Sequence, residues 1–157
     1  MNAVDILKYG QGTALQAIEA FPASQWETAG ACGVWSVKDI VAHLASYEEV
    51  LVDVLGGFLG GHATPHLDRF TQSEHFNDAE VEERRSQSSE QVLKSLTTAH
   101  AQVMELAARI SPEVYRQVGT LPWYGADYSL DDMLVYMYYG HKREHSAQIA
   151  AFRDHLE

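Results

Sequence analysis

The sequence predicts an all-α four-helix bundle, on three observations. Four segments space their apolar residues at helical period, no segment alternates strictly enough for a strand, and two serines stand three residues before an aspartate at the head of an apolar run. The chain has 157 residues, 46% hydrophobic and 21% charged, which suits one ordinary domain over residues 1–157 with a real core.

The first helix is expected from about Ala3 to Phe21, with Val4, Leu7, Ala14, Leu15 and Ile18 on one side and Pro22 ending it. The second starts at Ser36, whose hydroxyl caps the helix while Asp39 answers from the third helical position. Trp35 and Ile40 flank that capping box as a hydrophobic staple. Its stripe runs through Ile40, His43, Leu44, Tyr47, Leu51 and Val54, and Gly56-Gly57 is expected to stop it. A long connection rich in Gly and His follows, with a short helical piece over Ala79 to Arg85. The third helix is expected from Ser88 to Ile110, its seam made of Val92, Leu96, Ala99, Val103, Leu106 and Ile110, with Ser111-Pro112 closing it. Tyr115 to Tyr128 reads as irregular. The fourth helix repeats the start signal in Tyr128, Ser129, Asp132 and Met133, and runs to about Asp154. The two long connections allow crossovers in place of simple hairpins.

Charge excludes one class of partner. Eleven basic residues against 22 acidic ones leave a net charge of -11, which repels phosphate backbones, so nucleic acid is not expected. Apolar stretches are broken by charges too soon for a membrane span. The opening MNAVDILKYG has no basic region and no long apolar run, and the single cysteine, Cys32, fits a reducing compartment; a cytoplasmic location is expected.

Eight histidines are the main chemical lead. The inward seam of the fourth helix reads Leu130, Leu134, Met137, His141, His145, Ile149 and Phe152, so two imidazoles one turn apart share a face. His43 lies in the stripe of the second helix. Any one of these alone reads as a hydrogen-bonded core residue. Three converging on one core point to a divalent metal, because unpaired buried imidazoles are costly and helical bundles build metal sites from facing helices. Three nitrogen ligands leave a coordination position open, as in catalytic sites; zinc, nickel or another first-row divalent ion would suit them.

His141 to His145 also matches the H-x-x-E-H pattern of one protease group, but that chemistry needs a distal acidic ligand and a larger scaffold. Glu144 is a candidate to orient a ligand or take a proton. Tyr47 and Tyr138, each about one turn from a histidine, are candidate donors, with core packing as their alternative use. His62, His66 and His75 are assigned to a polar loop that could fold over the site as a lid. His100 reads as a boundary residue and His155 as a helix-end charge. Cys32 reads as a small apolar filler or a thiol near the pocket mouth.

Two segments carry a family resemblance. Trp35-Ser36-Val37-Lys38-Asp39-Ile40-Val41-Ala42-His43-Leu44 resembles the signature around the first metal histidine of the DinB-like (DinB/YfiT-type) family. His141 to Ile149 resembles its closing H-x-x-x-H motif. The resemblance implies an up-down-down-up bundle, frequently a homodimer, with His43, His141 and His145 as ligands. The wider superfamily includes metal-dependent transferases and isomerases that use low-molecular-weight thiols such as bacillithiol and mycothiol. The expected function is therefore a metal-dependent transferase that activates a low-molecular-weight thiol, or water, against a small electrophilic substrate. The alternative is a non-catalytic metal-binding stress-response bundle or small-ligand-binding protein.

Overall fold

Capping sets where the helices of this chain begin. In the computed structural model, which describes residues 2–61 and 63–156, Asn2 accepts from the amides of Val4 and Asp5 and opens α1 (Ala3–Glu19). Ser36 with Asp39 forms a complete capping box at the head of α2 (Val37–Phe58), and Trp35 packs into the same apolar cluster as Ile40. Ser88 with Gln91 forms another box, which opens α5 (Ser89–Arg109). Ser129 with Asp132 opens α7 (Leu130–Met133), which continues through a π-helical stretch, Leu134–Gly140, into α8 (His141–Leu156). A short α6 (Pro112–Arg116) follows α5.

Two corrections concern the connections. Helix α2 does not stop at Gly56-Gly57. It runs on to Phe58, and Gly60, at φ +85°, makes the left-handed turn that brings the Gly61 amide 2.9 Å from the Gly56 carbonyl. A Cβ on Gly61 would meet that carbonyl oxygen at 2.8 Å, so the small residue there is a packing requirement. The long connection is also more helical than expected: α3 (Pro65–Gln72) and α4 (Phe76–Glu83) fill it. Pro65 sits at the first position of α3, where a missing N–H costs nothing. The Asp53 carboxylate of α2 accepts from the amides of His66 at 2.7 Å and Leu67 at 3.0 Å, capping α3 from outside its own sequence. His66 is therefore a helical residue; His62 lies outside the described residues, and His75 is exposed at the head of α4.

The seam of the last helix is shifted as well. Met137, expected inward, is only half-buried, and Tyr138 is the core residue at 2% exposure. The π-helical stretch winds more residues into each turn, so Leu134, Tyr138, Lys142 and Ser146 follow one another inward at intervals of four.

The four long helical segments bury two apolar clusters. One joins Leu7 of α1, Leu51 and Leu55 of α2, Val103 of α5, and Met133 and Tyr138. The other joins Ile18, Ile40, Leu44, Leu96 and Ile149. From the first cluster to the second, residue numbers rise along α1 and the last helix and fall along α2 and α5. The first pair therefore runs one way and the second pair the other. Between the clusters lies a layer of polar side chains, buried on α1, α2 and α8 and half-buried at His100 of α5.

Candidate metal centre

The three histidines stand in this intermediate layer, held by the backbone on two sides. His43 follows the Ser36 box by two turns of α2, and His141 and His145 open α8 directly after the π-helical stretch. Their Nε2 atoms converge: His141 Nε2 lies 2.9 Å from that of His43 and 2.9 Å from that of His145. His43 is 2% exposed and His145 6%.

These contacts cannot all be hydrogen bonds. The His141 Nε2 carries either one hydrogen or one lone pair, so it can pair well with only one of its two neighbours. The other 2.9 Å contact then sets like against like. Protonation offers no relief, because burial, with repulsion between the rings, lowers the pKa of His43 to about 2. Burial likewise lowers that of His141 to about 3, with His145 and Lys142 adding to it. His145 is also lowered by burial, and Gln148 and the nearby Glu144 carboxylate pull it partly back. Three neutral imidazoles thus bring their Nε2 atoms together, and with the hydrogens on Nδ1 all three would turn lone pairs toward one point. Nitrogens bound about 2 Å from a common zinc ion stand roughly 3 Å apart, so the donor set fits a divalent cation.

One support around the ring was not read from the sequence. Gln148, one turn beyond His145, has its amide oxygen 2.8 Å from His145 Nδ1 and accepts a hydrogen there, which leaves Nε2 free as a ligand. The Nδ1 of His43 is buried with no protein partner.

Aromatic side chains close over the triad. The Trp35 ring is 5.0 Å from that of His43, and Tyr47 is 4.6 Å from His141. Phe70 of α3 stacks edge-on against Tyr47, and Trp123, from the loop before α7, against Phe70. The two connections without a readable motif therefore meet above the histidines. Burial raises the Tyr47 pKa, and its hydrogen bond with Asn77 offsets only part of this, so its phenol stays protonated.

The other sequence candidates occupy distinct places. The Tyr138 hydroxyl donates to the Tyr47 carbonyl at 2.7 Å, inside the core. Glu144 is exposed, within electrostatic reach of His145. His100 faces Glu48 of α2 at 3.3 Å, and His66 faces Glu49 at 3.3 Å. His155 donates to the Ala151 carbonyl at 2.7 Å on the last turn. Cys32 is half-buried against the second apolar cluster.

A second polar group in the same layer was missed altogether. The Lys142 ammonium is hydrogen-bonded to the Glu48 carboxylate and, at 2.8 Å, to Gln11 Oε1. Glu48 is 0% exposed and Lys142 3%. Burial alone would raise the Glu48 pKa, but Lys142 and His100 outweigh it and the value is lowered. The signal was present: Leu7-Gln11-Ala14-Ile18 and Leu44-Glu48-Leu51-Leu55 are apolar stripes, each with one polar member.

Fold and site together define an all-helical bundle protein with a three-histidine cluster suited to a divalent metal. The model of the DinB superfamily matches residues 6–149, and the chain belongs to that superfamily. Comparison with curated proteins and with solved structures returned no match. Among the described residues, no helix is long and apolar enough to cross a membrane.

Proposed function

We propose that residues 1–157 act as one DinB-like domain in which His43, His141 and His145 hold one divalent ion, zinc or nickel, for a metal-dependent transferase. The observation that carries this reading is the pair of 2.9 Å Nε2 contacts that no arrangement of imidazole protons satisfies. The chemistry that such an ion supplies is a lowered pKa for a low-molecular-weight thiol, or water, that attacks a small electrophile. The protein's own part is to hold the three donors neutral, to fix the His145 tautomer through Gln148, and to exclude bulk water with Trp35, Tyr47, Phe70 and Trp123. Rings line this approach, which favours an electrophile with an apolar body. Tyr47, protonated at neutral pH, serves as a hydrogen-bond donor at its edge, and Glu144 can take up the released proton from the solvent side. Tyr138 is the third candidate donor, although its hydroxyl is already engaged.

Elemental analysis of tag-free protein tests the site. About one equivalent of metal is expected in the parent, and little in His43→Ala or His141→Ala. Conjugation of a low-molecular-weight thiol to a panel of electrophiles, lost in His145→Ala, tests the activity. No metal uptake by the parent from zinc or nickel would end the proposal.

The closing of rings over the histidines favours a second reading, in which the ion secures the bundle or a bound ligand without turnover. Metal removal would then lower the melting temperature while no electrophile reacts. We assign either form to the cytoplasm, since a lone cysteine, Cys32, suits a reducing compartment. A homodimer is part of both, with Tyr9 at 64% and Tyr136 at 66% exposure as surface for a second copy, and sedimentation would detect it.

A further inference from the structure

The buried polar layer does more than interrupt the apolar core. Each long helical segment supplies one member: Gln11 from α1, Glu48 from α2, the half-buried His100 from α5 and Lys142 from α8. Lys142 adjoins His141 in sequence, so on a helix its side chain leaves the axis in a different direction from the histidine pair. Its ammonium is held between acceptors on two different helices, Gln11 and Glu48.

We propose that this Gln11–Lys142–Glu48–His100 network is the positioning device of the histidine site, fixing the rotation of α8 about its axis so that His141 and His145 meet His43. The inference rests on the histidines' being a metal site. Apolar contacts, being non-directional, tolerate small rotations of a packed helix. Turning a helix by roughly 20° carries a side-chain tip about 2 Å. Metal–ligand distances tolerate only about 0.2 Å, so the apolar clusters alone cannot set the donors accurately enough. A buried ion pair with hydrogen bonds to two neighbouring helices is directional. Rotation of α8 either way would stretch Lys142 from one acceptor or the other. Fixing register is also the best-supported use of buried charge in helical assemblies, because such pairs add little net stability.

Co2+ is the probe, since its visible spectrum reports ligand geometry. The parent, a Glu48→Leu/Lys142→Met double variant and Gln11→Met are each titrated with Co2+, and the melting temperature of each metal-free protein is measured. The double variant should melt at or above the parent temperature, yet bind Co2+ about 10–100-fold more weakly, the range for groups that orient ligands from outside. Its absorption bands should shift and weaken. Gln11→Met, which removes one acceptor and no charge, should change affinity and spectrum in the same direction by less. A folded double variant with parental affinity and a superimposable spectrum would overturn the proposal. Should the double variant not fold, parental affinity and spectrum in Gln11→Met would overturn it equally. Failure of the parent itself to bind Co2+ is a different result: it removes the metal site, and with it anything to position.

Discussion

Two polar clusters share one layer of this bundle and even adjoining residues, His141 and Lys142, yet only one of them pairs opposite charges. In the Glu48–Lys142 group, charge meets charge, and Gln11 and His100 take up further hydrogen bonds, with the Gln11 amide nitrogen left without a partner. In the histidine group, like meets like at 2.9 Å, and burial keeps the rings from charging. Both are buried and both are polar, so burial alone does not distinguish a ligand site from a structural one. What distinguishes them is charge: opposite charges face each other in the first, whereas the second brings neutral nitrogens together with no opposite charge among them.

Acid should separate the two most widely. In metal-free protein, His43 and His141 have pKa values pulled from 6.5 to about 2 and about 3. The unfolded chain therefore binds more protons than the native one below pH 6.5. The stability associated with these rings is fully present above that pH and is lost progressively towards about 3. Glu48 is lowered from 4.5, so its contribution is lost only below that value. Urea unfolding of metal-free protein should show a steady fall from about pH 7 to pH 5, before the carboxylate is affected. A flat profile across that interval would mean that the rings are not held neutral.

Next in size is the loss of one partner from the charge-paired network. Lys142→Met leaves the Glu48 carboxylate buried without its cation and should cost about 3–5 kcal/mol, read from chemical denaturation. A cost below about 1 kcal/mol, the range of an exposed pair, would show that water reaches Glu48.

The histidine cluster should respond to the opposite treatment, addition in place of removal. Zinc at a hundred times its dissociation constant should add about 2.7 kcal/mol to the stability of the parent and nothing comparable to His43→Ala. Thermal melts with and without a chelator provide the measurement. Equal stabilisation of parent and variant would place the binding elsewhere, for instance on exposed surface histidines.

The contrast also explains what could be read from the chain. Helix starts at Ser36 and Ser129 were legible because a cap is a local contract between residues three apart. The histidine site was legible because i, i+4 spacing and a position in an apolar stripe are local patterns too. Lys142 was not, because it lies between the two histidines of the expected seam, and the π-helical stretch before it turns Tyr138, Lys142 and Ser146 inward as well, which a fixed helical period does not foresee. The α3 helix escaped for a different reason: its N-terminal amides are capped by Asp53, twelve residues before Pro65 and on another helix. Gln148 was visible within the closing motif, but its task depends on which nitrogen of His145 faces it, which only coordinates provide.

The smallest effect tests where the line between the clusters falls. Tyr138 lies close to both, fully buried, with its hydroxyl donating to the Tyr47 carbonyl. That carbonyl belongs to the interior of α2, where the helix supplies it with another partner, so losing the phenol leaves no orphaned group. Tyr138→Phe should therefore cost only about 1 kcal/mol in denaturation. If Tyr138 is part of the structural scaffold, metal content and any thiol-transfer rate should be unchanged. If it reaches the reacting atoms as a donor, the rate should fall by much more than the stability change accounts for, at unchanged metal content. That outcome would move Tyr138 from the scaffold to the histidine site, and would require its hydroxyl to leave the Tyr47 carbonyl when substrate enters.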